Sequence, residues 1–264
     1  MTKLYLATSF KNDIVNEYAK NILVSYYYAP LGLIDFYGKT HDMMLDSGAF
    51  TFSWKSEKYR FPDIEYYSNM CHKYKYELDS YANMDVIGSD VETFENQDIM
   101  ESFNLKPFPI FHNGDDFEYL IHYLKNYDYI GLGGVAGAMA GTTRQSSSKW
   151  IGKVIQYIVK YNPTIKTHAF GVTSQNEMIK YRFYSCDSSS WMDAFRFNKF
   201  QKYLGNGDIV GKKDVGFRFG DLKLATKRKQ TLIEWGKISD YVDKIIPTSE
   251  EPFRTSELRS LGVD

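Results

Sequence analysis

Cysteine is almost missing from this chain: Cys71 and Cys186 are the only two in 264 residues, and they form no CxxC pair. That excludes a disulfide scaffold and a cysteine-built zinc site. His41, His72, His122 and His168 show no metal-ligand spacing, and the adjacent Cys71 and His72 are badly placed to chelate one ion. No run of 18 apolar residues occurs, so no membrane span is expected. The apolar run in residues 1–8 is too short for a signal peptide before Lys11 and Asp13 intervene. Neither sign of charge dominates, with 32 basic against 33 acidic side chains. Linkers rich in Pro, Gly or Ser are absent, as are internal repeats. Abundant aromatics, 22 Tyr, 18 Phe and 4 Trp, argue against disorder. The expectation is a soluble globular protein of a reducing, intracellular compartment. Its length allows one large domain or two ordinary ones, with a core that needs no staples.

The balanced net charge hides an uneven distribution. Residues 1–128 hold 11 basic and 20 acidic side chains, whereas residues 129–176 hold five basic and no acidic ones. Residues 195–230 hold ten basic side chains against three aspartates. Such stretches suit either solvated faces or a track for a polyanion, which clustered Lys and Arg attract.

Short apolar strand patterns alternate with helical ones. Strands are expected at 4–8, 22–27, 43–46, 81–87, 108–112, 129–133, 167–172 and 183–187. Helical character follows most of them, as at 64–76, 117–125 and 148–161. In the last, Ser146 to Ser148 offer N-caps, and Trp150, Ile151, Val154, Ile155 and Ile158 make an apolar face. Lys149 and Lys153 fall on the other side, and Asn162-Pro163 stops the helix. A terminal helix is expected over 222–246, followed by a loosely held tail at 247–264. Alternating βα units imply a parallel sheet under helices. A (β/α) barrel comes first, an open doubly wound sheet second.

In either architecture functional groups gather where strands end. Those ends carry Asp46 in Leu45-Asp46-Ser47-Gly48-Ala49-Phe50, Asp85 in Asn83-Met84-Asp85, and His112-Asn113-Gly114. Further on come Gly133-Gly134-Val135-Ala136-Gly137, Phe170-Gly171-Val172, and Asp187 in Cys186-Asp187-Ser188-Ser189-Ser190. One Asp-Ser-Gly is ordinarily a turn; three strand-end carboxylates in one barrel converge on one mouth. Residues 131–136 also fit GxGxxG/A, but no acid follows between Asp128 and Glu177 to hold a ribose. A dinucleotide site is therefore not expected, and the glycines suit close approach of a ligand to backbone amides.

This ordered set resembles the tRNA-guanine transglycosylase superfamily, from about Met43 to Trp191. The resemblance implies a single-domain α/β fold, a (β/α)8 TIM-type barrel over residues 1–246 that includes the basic segment 195–230. It also implies exchange of a nucleic-acid guanine for a 7-deazaguanine base. Asp187 resembles the nucleophile that attacks the ribosyl C1′ and forms a covalent glycosyl ester. Asp46 resembles the carboxylate that carries protons for departing and arriving bases. Asp85 resembles the acceptor for the N1–H and 2-amino edge of the base. His112 falls where a Gln commonly contacts the base carbonyl, and Gly133 and Gly134 where backbone amides meet the base. Phe50 and Phe170 take the places of side chains that sandwich the ring, a stacking worth ~1–3 kcal/mol. No cofactor is expected, and no metal, since the chain lacks the cysteines of a zinc site.

Two departures narrow it. No Cys follows Cys186, so the family's zinc subdomain is not expected, nor are the RNA-binding domains that other members add. A compact barrel of this kind resembles the virus-encoded branch that modifies DNA against restriction. That implies DNA as polymer substrate, a 7-deazaguanine base as small-molecule partner, no membrane, and the host cytoplasm as location. Arg144, Lys149, Arg196, Lys199, Lys212, Lys213 and Arg218 would then hold the backbone, with Phe195, Phe197, Phe200, Phe217 and Phe219 interleaved. A base must leave a duplex to enter the mouth. Competing readings are the same exchange on tRNA, a glycoside hydrolase using Asp46 and Asp187 as its carboxylate pair, and a non-catalytic nucleic-acid binder. At single residues, Phe50, Phe170 and His112 also suit a core, Asp187 a helix cap, and Cys186 plain packing. The oligomeric state stays open.

Overall fold

The computed structural model describes residues 2–38, 40–54, 63–135, 144–172, 174–197, 200–205, 209–211 and 224–245. Eight parallel strands follow one another round a sheet: β1 Lys3–Thr8, β2 Asn21–Ser25, β3 Asp42–Asp46, β4 Ser80–Tyr81, β5 Ile110–His112, β6 Tyr129–Gly133, β7 Lys166–Ala169 and β8 Ser185–Ser188. β1 pairs with both β2 and β8, which curls the sheet, and its two ends meet at an Ala82–Phe108 bridge. There the Phe108 N–H donates to Tyr81 O at 3.1 Å and the Asn83 N–H to Phe108 O at 3.0 Å. Helices alternate with the strands, giving a (β/α)8 barrel-like single domain.

Side chains alternate along each strand between the helix layer and the barrel interior. Leu4, Leu6, Ile22, Val24, Met43, Leu45, Ile130 and Leu132 face outward and build the main core with the helices. Tyr5, Leu23, Met44, Ala82, Phe108 and Ile110 fill the inside. Each large side chain so buried contributes about 1.5–3 kcal/mol. Polar residues mark where helices start: Asn12, Asp63, Ser89, Asp116 and Ser174 each accept a backbone N–H of the helix that follows.

Several expected boundaries move. The strand expected at 81–87 shrinks to Ser80–Tyr81, because the Asp85 N–H turns to Asn83 O and the Val86 N–H to the Thr93 hydroxyl. The helix expected at 148–161 begins at Arg144, which leaves Ser147 buried inside it rather than capping it. The helix expected at 64–76 ends at Lys73. The terminal helix runs Leu224–Ile245 and buries Leu232, Trp235, Ile238 and Val242. A short hairpin, β9 Gln201–Tyr203 with β10 Ile209–Gly211, docks on it through Trp235 Nε1 to Gln201 Oε1 (2.7 Å) and Tyr203 N–H to Glu234 Oε2 (2.9 Å). The expected tail at 247–264 lies outside the described residues. Among the described residues no helix is long and apolar enough to cross a membrane.

Candidate active site

A cavity of about 610 Å³ opens at the carboxyl end of the barrel, within the ~300–1,000 Å³ usual for small-molecule sites. All eight strands reach it. Thr8, Ser25, Asp46, Asp85, His112, Gly133, Phe170 and Asp187 stand at or just beyond the ends of β1 to β8 in order, and all line it. Gly134 and Phe50 line it too, Phe50 with half its surface open, and so does Arg196 from the short helix Asp193–Arg196. Eight residues singled out in the sequence for chemistry or base binding thus surround one space.

The three carboxylates stand in different surroundings. Asp46 ends β3 opposite Ser25 on β2, and its Oδ2 accepts the Gly48 N–H at 3.1 Å. Burial, then the charges of Asp85 and Asp187, push its carboxyl up to about 8, against the opposing pull of Gly48 and Ser25. At neutral pH it therefore holds a proton. Gly48, at φ +83°, makes the turn that brings its N–H back to Asp46.

Asp85 is buried and held on both oxygens. The Ser47 hydroxyl donates to Oδ1, and His112 Nε2 donates to Oδ2 at 2.8 Å. A carboxylate has about four acceptor sites, so capacity remains for a ligand. His112 has a second acid behind it: Asp115 Oδ2 accepts the His112 backbone N–H at 2.6 Å and lies 3.4 Å from Nδ1. Burial alone would lower the imidazole, but hydrogen bonds to Asp115 and Asp85, with their charges, raise it to about 10. His112 is thus a cation clasped by two acids, with its Nε2–H committed to Asp85.

Asp187 is buried on β8, and its Oδ1 accepts the Gly171 N–H at 2.8 Å. It caps no helix; the following turn is held by Ser188 Oγ, which accepts the Ser190 N–H. Asp187 Oδ1 also lies 3.4 Å from Nε2 of His168, a fully buried residue. Phe170 packs edge-on against the His168 ring, with centroids 4.4 Å apart.

No family model and no curated protein matches the chain.

The glycines have a local reason. His112 and Gly133 are register partners, and a Cβ on Gly133 would come 2.4 Å from His112 Cδ2. A Cβ on Gly131 would come 2.8 Å from Phe170 Cε2. The glycines therefore admit the rings that line the cavity. Gly134, at φ +79°, turns the chain away.

The basic residues divide. Lys149 is exposed on the helix Arg144–Tyr161, whose first residue is Arg144, while Arg196 reaches the cavity. Lys199, Lys212, Lys213 and Arg218 lie outside the described residues, as do Phe217 and Phe219. Of the interleaved phenylalanines, Phe200 is buried and Phe195 packs on Phe10 and Trp191. Those two serve the core rather than stack bases; Phe197 is exposed. Cys71 and Cys186 are free and buried. Among the described residues no group of three or more His, Cys, Asp or Glu is disposed to hold a metal ion. Sequence reasoning missed Ser25, Ser47, Asp115 and His168. Only His168 carried a usable signal, since it lies two residues before Phe170 and shares its side of β7.

Proposed function

We propose that this barrel exchanges guanine in DNA for a 7-deazaguanine base through a covalent glycosyl ester on Asp187. What supports this reading most is the convergence of Asp46, Asp85 and Asp187 on one cavity, with Asp46 pushed up to about 8. In the first displacement an Asp187 oxygen attacks C1′ while the C1′–N9 bond breaks. Its electron pair leaves on N9 of guanine, which takes the Asp46 proton. In the second, the arriving base gives its N9 proton to Asp46 and attacks C1′, and the ester oxygen departs with its electrons as carboxylate. Asp85, oriented by Ser47 and His112, accepts from the N–H edge of the ring. Phe170 forms a wall, and Phe50, half exposed, stands at the opening.

The test offers labelled guanine with duplex DNA, single-stranded DNA or tRNA. Label should enter DNA. Entry into tRNA alone would transfer the chemistry to the tRNA reading, and entry into neither would overturn it. Asp187→Asn should lower exchange by on the order of 10⁴-fold and abolish a denaturation-stable protein–DNA adduct. Unchanged turnover would remove Asp187 as nucleophile.

A further inference from the structure

Behind Asp187 runs a chain of polar groups, buried at His168 and Ser185 and half-buried at Tyr129, that the proposed chemistry leaves unused. Tyr129 Oη lies 2.5 Å from Ser185 Oγ, and Ser185 Oγ lies 2.7 Å from His168 Nδ1. The other ring nitrogen, Nε2, is buried without a hydrogen bond and faces Asp187 Oδ1 at 3.4 Å. His168 and Ser185 are register partners on β7 and β8, so the sheet itself sets this spacing.

The direction of the chain follows from counting protons. Among the described residues, Ser185 Oγ is the hydrogen-bond partner of the Tyr129 hydroxyl. Burial pushes that phenol well above its ordinary range, so it keeps its proton and must place it. Tyr129 therefore donates to Ser185, Ser185 donates to His168 Nδ1, and the imidazole proton resides on Nε2. The reverse order would leave the Tyr129 O–H without a protein acceptor and set two lone pairs face to face at Asp187.

We infer that His168 is a positioning residue for Asp187, its Nε2–H aimed at Oδ1 and oriented by the Ser185–Tyr129 relay. The inference rests on the transglycosylase reading for its catalytic consequence. With Oδ1 taken by the Gly171 N–H and facing His168 Nε2, Oδ2 is left as the attacking atom. The separation of 3.4 Å exceeds an ordinary N–H···O bond. An N–H facing Oδ1 favours the carboxylate over the glycosyl ester, so His168 acts chiefly on the second displacement.

Two measurements test this, the first without reference to activity. Long-range ¹⁵N–¹H NMR of the whole protein should find the His168 proton on Nε2 with Nδ1 bare, and the Nε2 resonance should move in Asp187→Asn. A proton on Nδ1 would overturn the relay. In exchange assays, His168→Leu should lower kcat about tenfold with a parallel fall in the KM for DNA, the effect of losing an N–H that faces a charged group during the second displacement. The steady-state adduct should rise as its breakdown slows. His168→Gln, which returns an N–H near the Nε2 position, should recover most of the loss. Ser185→Ala, a smaller change to the core, should move the same quantities in the same direction. Equal losses in the Gln and Leu variants, or an unchanged adduct lifetime in Ser185→Ala, would overturn the role. No exchange by the unaltered protein would instead sink the transglycosylase reading and this catalytic role with it, leaving the proton relay to stand or fall on the NMR.

Discussion

Asp46 and His112 both hold a proton at neutral pH, for opposite reasons. Burial and neighbouring negative charge penalise the Asp46 carboxylate, whereas two acids outweigh burial to favour the His112 cation. The linkage for Asp46 has a definite sign. Its folded value of about 8 stands above the ordinary 3.8, so the native state binds a proton that the unfolded chain has released. Stability is therefore lost as pH climbs through that window. Asp46→Asn mimics the protonated group and removes the penalty. Urea unfolding of both proteins should give matching stabilities near pH 4. By pH 8 the variant should be ahead by roughly 1–3 kcal/mol, discounted because the side chain still faces an open cavity. Differencing the two proteins cancels His112, whose stabilisation is full below 6.5 and fades towards its folded value of about 10. A gap that does not change with pH would mean that Asp46 is already ionised in the fold. On the transglycosylase reading the same substitution should suppress exchange, so that stability and activity would trade against each other at this residue.

At the scale of elements, β6 shows how a strand's composition follows from its neighbours. Gly131 and Gly133 lie on one side of it, and there Phe170 and His112 press where side chains would project. Gly133→Ala should destabilise the fold by about 1–3 kcal/mol by overpacking, since His112 is clasped by Asp85 and Asp115 and has little room to swing. A double-mutant cycle checks the cause: in a His112→Ala background the alanine should be nearly free of cost. The glycines were visible in the sequence, but their neighbour was not, because His112 meets Gly133 through strand register rather than local spacing. The same limit explains Ser25, which meets Asp46 as its register partner across β2 and β3. Period-two and period-3.6 patterns place strands and helices because each element buries one side, and by that logic the strand-end groups Asp46, Asp85, His112, Phe170 and Asp187 could be collected from sequence. Where a segment takes its hydrogen bonds from side chains and turns instead of a ladder, as 83–87 does, the apolar pattern overruns the strand. The phenylalanines at 195 and 200 misled for a related reason: basic neighbours suggested a nucleic-acid surface, while the rings themselves pack inward.

For the whole molecule, closure is uneven, and the unevenness bears on function. β1, β2 and β3 pair over four or five residues at each junction, whereas β4 and β5 are joined through the Ala82–Phe108 bridge. Asp85 and His112 hang from that seam, while Asp46 and Asp187 lie on strands that pair over five and four residues on one side and two on the other. The groups assigned to reading the base thus ride on the part of the barrel with least ladder, and those assigned to bond making each have one longer ladder beside them. Local opening should follow the same division, since its free energy scales with the hydrogen bonds and packing that must be broken. Hydrogen exchange read by peptide mass should show segments 80–84 and 106–112 exchanging about tenfold or more faster than 3–8, 21–25 and 42–46. Saturating guanine should slow exchange at the seam more than elsewhere, because a base held by Asp85 between β4 and β5 adds contacts that the free barrel lacks there. Uniform protection round the barrel would show that the charged clasp of Asp85, His112 and Asp115 closes the seam as firmly as a full ladder does. Base recognition would then depend on a rigid cleft rather than one that tightens on its ligand.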